Sequence, residues 1–186
     1  MQVSRDLIES CQRGDPGAFD ELVRQTHRAV YSLVFRMVGN AEDAADVTQD
    51  VYVRVWRGLR SFRGDSNAAT WLYRIAANTA LTHLRKRSRS GVVETLDGVD
   101  VPVADETEQR ADADMLEQAL ATLPAQQRAV VVLKDVYGWT CEEIANRMGT
   151  TEGAIKVRLF RARQRLAGEL AGAGVVVPLK KRKKTS

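Results

Sequence analysis

The chain has 186 residues, 44% hydrophobic and 28% charged, with a net charge of +4; this suits one medium or two small globular domains and excludes a collagen-like or largely disordered chain. No apolar run of about 18 residues occurs and MQVSRDLIESCQRGD lacks the apolar block of a secretory signal, so a cytoplasmic protein with no membrane span is expected. Two cysteines, Cys11 and Cys141, cannot form a disulfide framework, and two histidines, His27 and His83, do not suit a tetrahedral zinc site.

A short helix is expected around Leu7, Ile8 and Cys11. The first long helix opens at Asp15-Pro16, where Asp15 can cap free N–H groups and Pro16 suits the first turn. Phe19, Leu22, Val23, Val30, Leu33, Val34 and Met37 then follow helical spacing, and Gly39-Asn40 ends the run. Asn40 caps a second helix with Asp43 in its first turn; Ala44, Val47, Val51 and Val55 face inward with Tyr52 and Trp56 beside them. SFRGDSN, Ser61 to Asn67, reads as a loop. Ser66 can cap a third helix from about Asn67 to Arg87, whose inner face uses Leu72, Ile75, Ala76, Thr79 and Leu84.

Periodicity disappears from Ser88 to about Arg110, a stretch mixing glycine, proline and acids that reads as a flexible linker. It returns at Met115, Leu116, Ala119, Leu120 and Leu123. Pro124 starts a helix carrying Ala129, Val130, Val132, Leu133 and Val136, closed by Tyr137-Gly138-Trp139. Thr140 and Glu143 are spaced as a capping box for a short helix through Met148. Gly149-Thr150-Thr151 is a tight turn, and a last helix runs from Glu152 to about Leu170. The expected fold is all-α: two small helical domains joined by a flexible acidic linker, the C-terminal one containing a helix-turn-helix.

The charge follows the same division. Residues 1–90 hold 14 Lys+Arg against 10 Asp+Glu, residues 91–114 hold one Arg against 8 acids, and residues 115–186 hold 13 Lys+Arg against 6 acids. Two basic blocks flanking an acidic strip suit two modules on a polyanion, joined by a segment that avoids it.

TCEEIANRMGTTEGAIKVRLFRARQRL is a helix-turn-helix pattern. Ala145 is small where two helices approach, Gly149 supplies the turn, and Ile144, Met148 and Ile155 pack the pair. The second helix shows Lys156, Arg158, Arg161, Arg163 and Arg165, which can reach guanine edges or phosphates in a major groove. The plainer alternative is a helical hairpin with a solvated basic face.

Other features are less specific. Asp43, Asp46 and Asp50 share a helix face with Gln49 alongside, either solvated or docking a basic partner. Phe62, Trp71 and Tyr73 flank a basic loop with Arg60 and Arg63, either core packing or a cluster on which unstacked bases stack. Arg74, Asn78 and Arg85 recur on the outer face of the third helix, near Lys86 and Arg87. His27 lacks a partner at ligand spacing, and His83 sits in a basic stretch facing solvent or phosphate. No glycine-rich phosphate loop or nucleophile motif is present, so the chain is read as not an enzyme, with no cofactor, no metal and no small-molecule substrate.

The order of features resembles bacterial RNA polymerase sigma factors of the sigma-70 family. GDPGAFDELVRQTHRAVYSLVFRMVGNAEDAADVTQDVYVRVWRGL resembles their first conserved regions, FRGDSNAATWLYRIAANTALTHLRKR their promoter-melting and −10-reading regions, and LPAQQRAVVVLKDVYGWTCEEIANRMGTTEGAIKVRLFRARQRL their −35-reading domain. The likeness covers about residues 5–172, and the short length and missing third domain resemble the extracytoplasmic-function (ECF) group. It implies a region 2 domain over 1–90, an acidic linker over 91–112, a region 4 domain over 113–172 and a basic tail over 173–186.

By the same resemblance, Asp46, Gln49 and Asp50 match the segment that grips the clamp of the polymerase β′ subunit, and the β flap is a further contact on core polymerase. The loop from Phe62 to Thr70, with Arg63 and with Asn78 on the next helix, matches the part that captures a flipped non-template base of the −10 element. Arg74, Arg85, Lys86 and Arg87 would hold the DNA backbone. Lys156, Phe160 and Arg161 match recognition-helix positions at the −35 element, with Arg158 on phosphate. The linker would thread the polymerase cleft. The implied partners are core RNA polymerase, promoter DNA and an anti-sigma factor.

Two stretches depart from the family pattern: Thr82-His83, where many relatives carry an Asp, and the KKRKK tail. The rival reading is a free-standing helix-turn-helix regulator acting on an operator. It leaves the acids of the second helix and the acidic linker unexplained.

Overall fold

The structure, a computed structural model, describes residues 3–64, 67–89 and 109–172. Those residues form α1 (Arg5–Gln12), α2 (Pro16–Val38), α3 (Ala41–Leu59), α4 (Ala68–Arg89), α5 (Gln109–Ala121), α6 (Ala125–Val131), a π turn over Val132–Val136, α7 (Cys141–Met148) and α8 (Glu152–Gly172). The fold is all-α, and among the described residues no helix is long and apolar enough to cross a membrane. The expected tail lies outside the described residues, as does the linker up to residue 108; α5 begins at Gln109, inside the stretch expected to be linker.

Local capping sets most boundaries. Ser4 Oγ accepts the Leu7 N–H at 3.2 Å to start α1. Asp15 Oδ1 accepts from Gly17 (2.9 Å) and Ala18 (3.3 Å) to start α2, satisfying donors that have no partner within the helix. Gly39 ends α2 in the left-handed region at φ 86°, its N–H donating to Phe35 O at 2.8 Å. Asn40 Oδ1 accepts the Asp43 N–H at 2.8 Å and opens α3. Ser66, expected to cap α4, lies outside the described residues; Asn67 Oδ1 accepts the Ala69 N–H at 2.9 Å in the first turn.

α2, α3 and α4 pack on one another, with α1 across α2. Leu22, Val30, Leu33, Met37, Val51, Val55, Leu72 and Ala76 are buried between them; each larger aliphatic side chain contributes about 1.5–3 kcal/mol. Thr26 is buried in this core; its hydroxyl donates to Leu22 O at 2.6 Å and lies 2.9 Å from Tyr52 Oη. Trp56 departs from its expected inward position: it is 46% exposed and meets Phe19 edge-on at 4.8 Å. Ile75 is half-buried.

In the second group α8 packs against α5, α6 and α7. Ile144, Ala145, Ile155, Leu159 and Ala162 are buried there. The Thr140–Glu143 capping box forms in both directions, and Gly149 turns the chain at φ 64°. The π turn was not legible in the periodicity. It widens the end of the α6 run, with Tyr137 N–H donating to Val132 O at 3.2 Å and Trp139 N–H to Leu133 O at 2.9 Å. The widened turn leaves Val136 50% exposed, against the expected inward position.

The two groups also pack on each other. Buried residues of α2, α3 and α4 run continuously into those of α5, α6, α7 and α8, with α6 against α2 and α7 against α4. Arg128 on α6 is 4% exposed. Its guanidinium donates to the carbonyls of Val38 (2.6 Å), Met37 (3.4 Å) and Leu123 (3.3 Å), supplying acceptors at the α2 terminus with a cation. Arg36 Nε donates to Glu117 at 2.5 Å.

Candidate nucleic-acid interface

Three surfaces carry the residues singled out from the sequence. The first is the outer face of α3. Asp46, Gln49 and Asp50 are all exposed, and their i, i+3, i+4 spacing sets them on one stripe. Val53 and Trp56, 48% and 46% exposed, continue it by one more turn and were not assigned to it from the sequence. Helical arithmetic from Asp46 would have found them.

Asp43 does not join that stripe. It turns toward α4, accepting from Asn40 Nδ2 at 2.7 Å and pairing with Arg87. His83 Nε2 lies 3.2 Å from Asp43 Oδ1, so His83 faces a carboxylate, not the solvent or phosphate expected. Burial by itself would raise the Asp43 carboxyl; the Asn40 hydrogen bond and the charges of His83 and Arg87 outweigh it and hold the group below its usual range. Arg87 is thereby engaged within the fold, contrary to its expected place on DNA. The partners are 40 and more residues apart in the chain, which is why local pattern missed them.

The second surface is the α3–α4 loop with the outer face of α4. Phe62 and Trp71 meet with ring centroids 4.9 Å apart, while Arg63 is exposed beside them. Tyr73, expected in the same cluster, instead packs on Tyr137 at 5.2 Å. Burial beside Tyr73 raises the Tyr137 phenol above its ordinary value. The loop is held from α1: Gln12 Nε2 donates to Leu59 O at 3.0 Å and Phe62 O at 2.8 Å.

Along α4, Arg74 lies 3.9 Å from Glu143, and Arg85 Nη1 donates to Arg147 O at 3.1 Å. Asn78 is half-buried, and its Oδ1 is buried without a hydrogen-bond partner. Lys86 is exposed. Thus Arg74 and Arg85 are engaged by α7 in this closed arrangement, and a buried acceptor on Asn78 is left unsatisfied, an uncommon and costly condition.

The third surface is α8. Lys156, Phe160 and Arg161 are exposed, Phe160 by 60%, and Arg158 is half-buried. Lys156 Nζ pairs with Glu152 at 2.8 Å; that exposed pair is weak enough to open for a better acceptor. Arg163 is drawn aside, its Nε donating to Asp135 at 3.0 Å, so it leaves the row of basic residues on the recognition helix. An apolar and a basic side chain one residue apart at 160–161 give this face both hydrogen-bonding and methyl-contacting capacity.

Two family models match the chain: Sigma-70 region 2 over residues 22–90 and Sigma-70, region 4 over residues 113–166. The ECF RNA polymerase sigma factor SigM of Mycobacterium tuberculosis is 40% identical over 162 residues, covering 87% of this chain and 82% of that protein. The chain belongs to the ECF group of sigma-70 family sigma factors. Another member, the ECF RNA polymerase sigma-E factor of Escherichia coli K12, is 34% identical over 171 residues, covering 85% and 89% of the two chains. Among solved structures, the sigma factor RpoE of Bartonella quintana, in complex with the anti-sigma factor NepR, aligns with a TM-score of 0.55 at 28% identity, covering 82% of this chain and 96% of that one. CnrH in complex with the cytosolic domain of CnrY aligns at 0.52 and 27%, covering 90% and 97%. As a sigma factor the chain acts in transcription initiation, with core RNA polymerase and promoter DNA as its partners. The α1 helix, residues 5–12, precedes the span matched by the region 2 model.

Proposed function

We propose that residues 1–90 form the unit that docks on core polymerase and reads the −10 element, and that residues 113–172 form the unit that reads the −35 element. The exposed stripe Asp46, Gln49 and Asp50 docks on the β′ clamp. Carboxylates at a polar interface contribute orientation and association rate as well as affinity, and the neighbouring Val53 and Trp56 add apolar contact. The β flap is a second site on the enzyme, reached by the C-terminal unit, and the acidic segment over 91–112 runs between them.

On DNA, Phe62, Arg63 and Asn78 capture an unstacked non-template base, while Arg74, Arg85 and Lys86 hold its backbone. Lys156, Phe160 and Arg161 read −35 base edges and Arg158 contacts phosphate. Phosphate contacts give salt-sensitive affinity and base contacts give choice. Unstacking a base costs a few kcal/mol, which its capture offsets; the chain catalyses no step and consumes no nucleotide. It works in the cytoplasm, where the polymerase is. An anti-sigma protein is a further partner, since RpoE and CnrH were each solved with a protein bound.

Arg74 and Arg85 are exposed but engaged by α7 in the closed arrangement, and departure of α7 from α4 frees both for DNA. Between α7 and α4 the polar contacts are an exposed 3.9 Å ion pair and one hydrogen bond to a backbone carbonyl, each worth about 1 kcal/mol or less; parting the two units as wholes also exposes the core they share and breaks the Arg128 bonds to Val38 and Met37. Docking on polymerase, which holds the two units apart, is the event that opens them. The observation that carries the reading is the exposed acid stripe on α3, opposite the face that packs on the core. Run-off transcription by core polymerase over a promoter library tests it: wild-type chain gives transcripts from templates sharing two elements at one spacing, and Asp46→Ala/Asp50→Ala does not. Equal transcription with the double variant overturns the docking assignment.

A further inference from the structure

Between Val51 and Gly64 the chain holds four arginines and no acid, with an arginine at every third residue: Arg54, Arg57, Arg60 and Arg63. All four are exposed. Arg54 and Arg57 lie near the end of α3, and Arg60 caps it with helical backbone angles, φ −61° and ψ −27°. The Ser61 and Phe62 N–H groups then donate to Gly58 O and Leu59 O at 3.1 Å each, a tightened turn that carries the path on to Arg63. Residues three apart in a helix have Cβ atoms about 5–6 Å apart, so these residues form an oblique row across the end of α3 that arrives beside Phe62.

We propose that this row is a track for the sugar-phosphate backbone of the non-template strand, with Arg54, Arg57 and Arg60 holding the phosphates next to the base captured at the Phe62 loop. For the identity of the strand it rests on the base-capture reading given above. Three observations support it. First, the row is not neutralised. Arg5, Arg24, Arg36, Arg74 and Arg87 of the same unit each pair with a carboxylate, but among the described residues no carboxylate pairs with Arg54, Arg57, Arg60 or Arg63. Asp50 stands one turn before Arg54 and does not pair with it. Of the acids on neighbouring elements, Glu9 holds Arg5 and Asp15 caps α2, Asp6 and Asp20 are exposed and unpaired with the row, and α4 carries none.

Second, the helix dipole does not account for the row. Its field favours cations within the last turn, which covers Arg57 and Arg60 but neither Arg54 nor Arg63. Third, the row cannot share the partner of the acid stripe. A surface that accepts Asp46 and Asp50 is cationic and repels guanidinium groups, so the arginines face a different, anionic partner. At the end of the row Phe62 and Trp71 meet with ring centroids 4.9 Å apart. A cationic track that ends on aromatic rings is the combination that binds single strands, the rings taking bases and the cations the backbone. Arginine suits the second task because its planar fork can hold a phosphate by two parallel N–H bonds.

The test uses holoenzyme assembled from core polymerase and the full chain, titrated onto a promoter whose −10 region is pre-melted by mismatches. Arg57→Ala/Arg60→Ala raises the dissociation constant by about five- to tenfold and makes the slope of log K against log salt shallower by about 1.4, the value for two single-strand phosphate contacts. Arg57→Lys/Arg60→Lys, which keeps the charge, restores most of both. Neutral methylphosphonate links beside the captured base weaken binding by wild type and not by the alanine pair. If the alanine pair keeps wild-type affinity, slope and link sensitivity, the row is a solvated face and the proposal is overturned. If the pair instead loses affinity for core polymerase, read by anisotropy of labelled chain, with its DNA slope unaltered, the row belongs to the enzyme contact and the proposal is again overturned. Phe62→Ala separates the two readings. If it weakens binding and the alanine pair does not, base capture stands and the row falls. If the alanine pair loses link sensitivity while Phe62→Ala binds as wild type does, the row stands and base capture fails.

Discussion

The Arg128 guanidinium lies flush against the backbone of Gly39: a Cβ on Gly39 would sit 2.0 Å from Nη2 and 2.3 Å from Cζ. Gly39 is needed twice, for its left-handed φ of 86° and for this close approach. One residue therefore ends α2 and admits the cation that joins α6 to it.

Gly39→Ala is expected to lower stability by about 1–3 kcal/mol through backbone strain and the displaced guanidinium. In a chain of this size each kcal/mol corresponds to about 2–4 °C, so thermal unfolding reads it directly. The same variant should increase the radius of gyration in small-angle scattering as α6 loses its seat on α2. An unchanged radius would mean that Arg128 does not hold the two units together.

Asp43 gives a pH-dependent expectation. Its folded-state pKa is lowered, so its contribution is full above the unfolded value of about 3.9 and is lost as the pH falls through the lowered one. Wild type should exceed Asp43→Asn by about 1–2 kcal/mol at pH 7, and the gap should close below about pH 4. Urea unfolding of both proteins over pH 3–7 measures it.

The acid stripe predicts a separation of fold from function. Asp46→Ala and Asp50→Ala remove exposed side chains, so stability should stay within about 0.5 kcal/mol. Affinity for core polymerase should fall by about tenfold or more for the pair, with a weaker dependence on salt. Fluorescence anisotropy of labelled chain against core polymerase at two salt concentrations tests both.

On α8, Arg161→Ala should relax selection at one −35 position by about 1–3 kcal/mol. Arg158→Ala should weaken binding almost equally on all sequences and reduce the salt slope by about one. Holoenzyme titrations on matched and mismatched −35 elements distinguish the two. The 60% exposed Phe160 between them should matter most where a thymine methyl is present.

What the sequence revealed, and what it hid, follows from the range of each interaction. Caps at Asp15, Asn40 and Thr140 act over two or three residues, so residue type and spacing disclosed them. The exposure of Asp46, Gln49, Asp50, Lys156 and Arg161 followed from helical phase alone. Long-range pairing was hidden. His83 and Arg87 with Asp43, Arg163 with Asp135 and Tyr73 with Tyr137 each join segments 28 to 64 residues apart, and nothing local marks them. The π turn at Val132–Val136 was masked by apolar residues that suit either helix type. The packing of α7 on α4 was hidden because charge pattern shows that two basic surfaces exist, not whether they face each other.

DNA recognition by this chain should depend on polymerase, because in the chain alone the two units are packed on each other through a shared core, with Arg74 and Arg85 engaged by α7. The most direct test is a mobility-shift titration on a promoter duplex selected by the holoenzyme, with the chain alone and with core polymerase. The chain alone should give only weak, sequence-independent binding, and adding core should give a specific complex. Tight, sequence-specific binding by the chain alone, unchanged by core polymerase, would contradict the account and point to a free-standing operator-binding regulator.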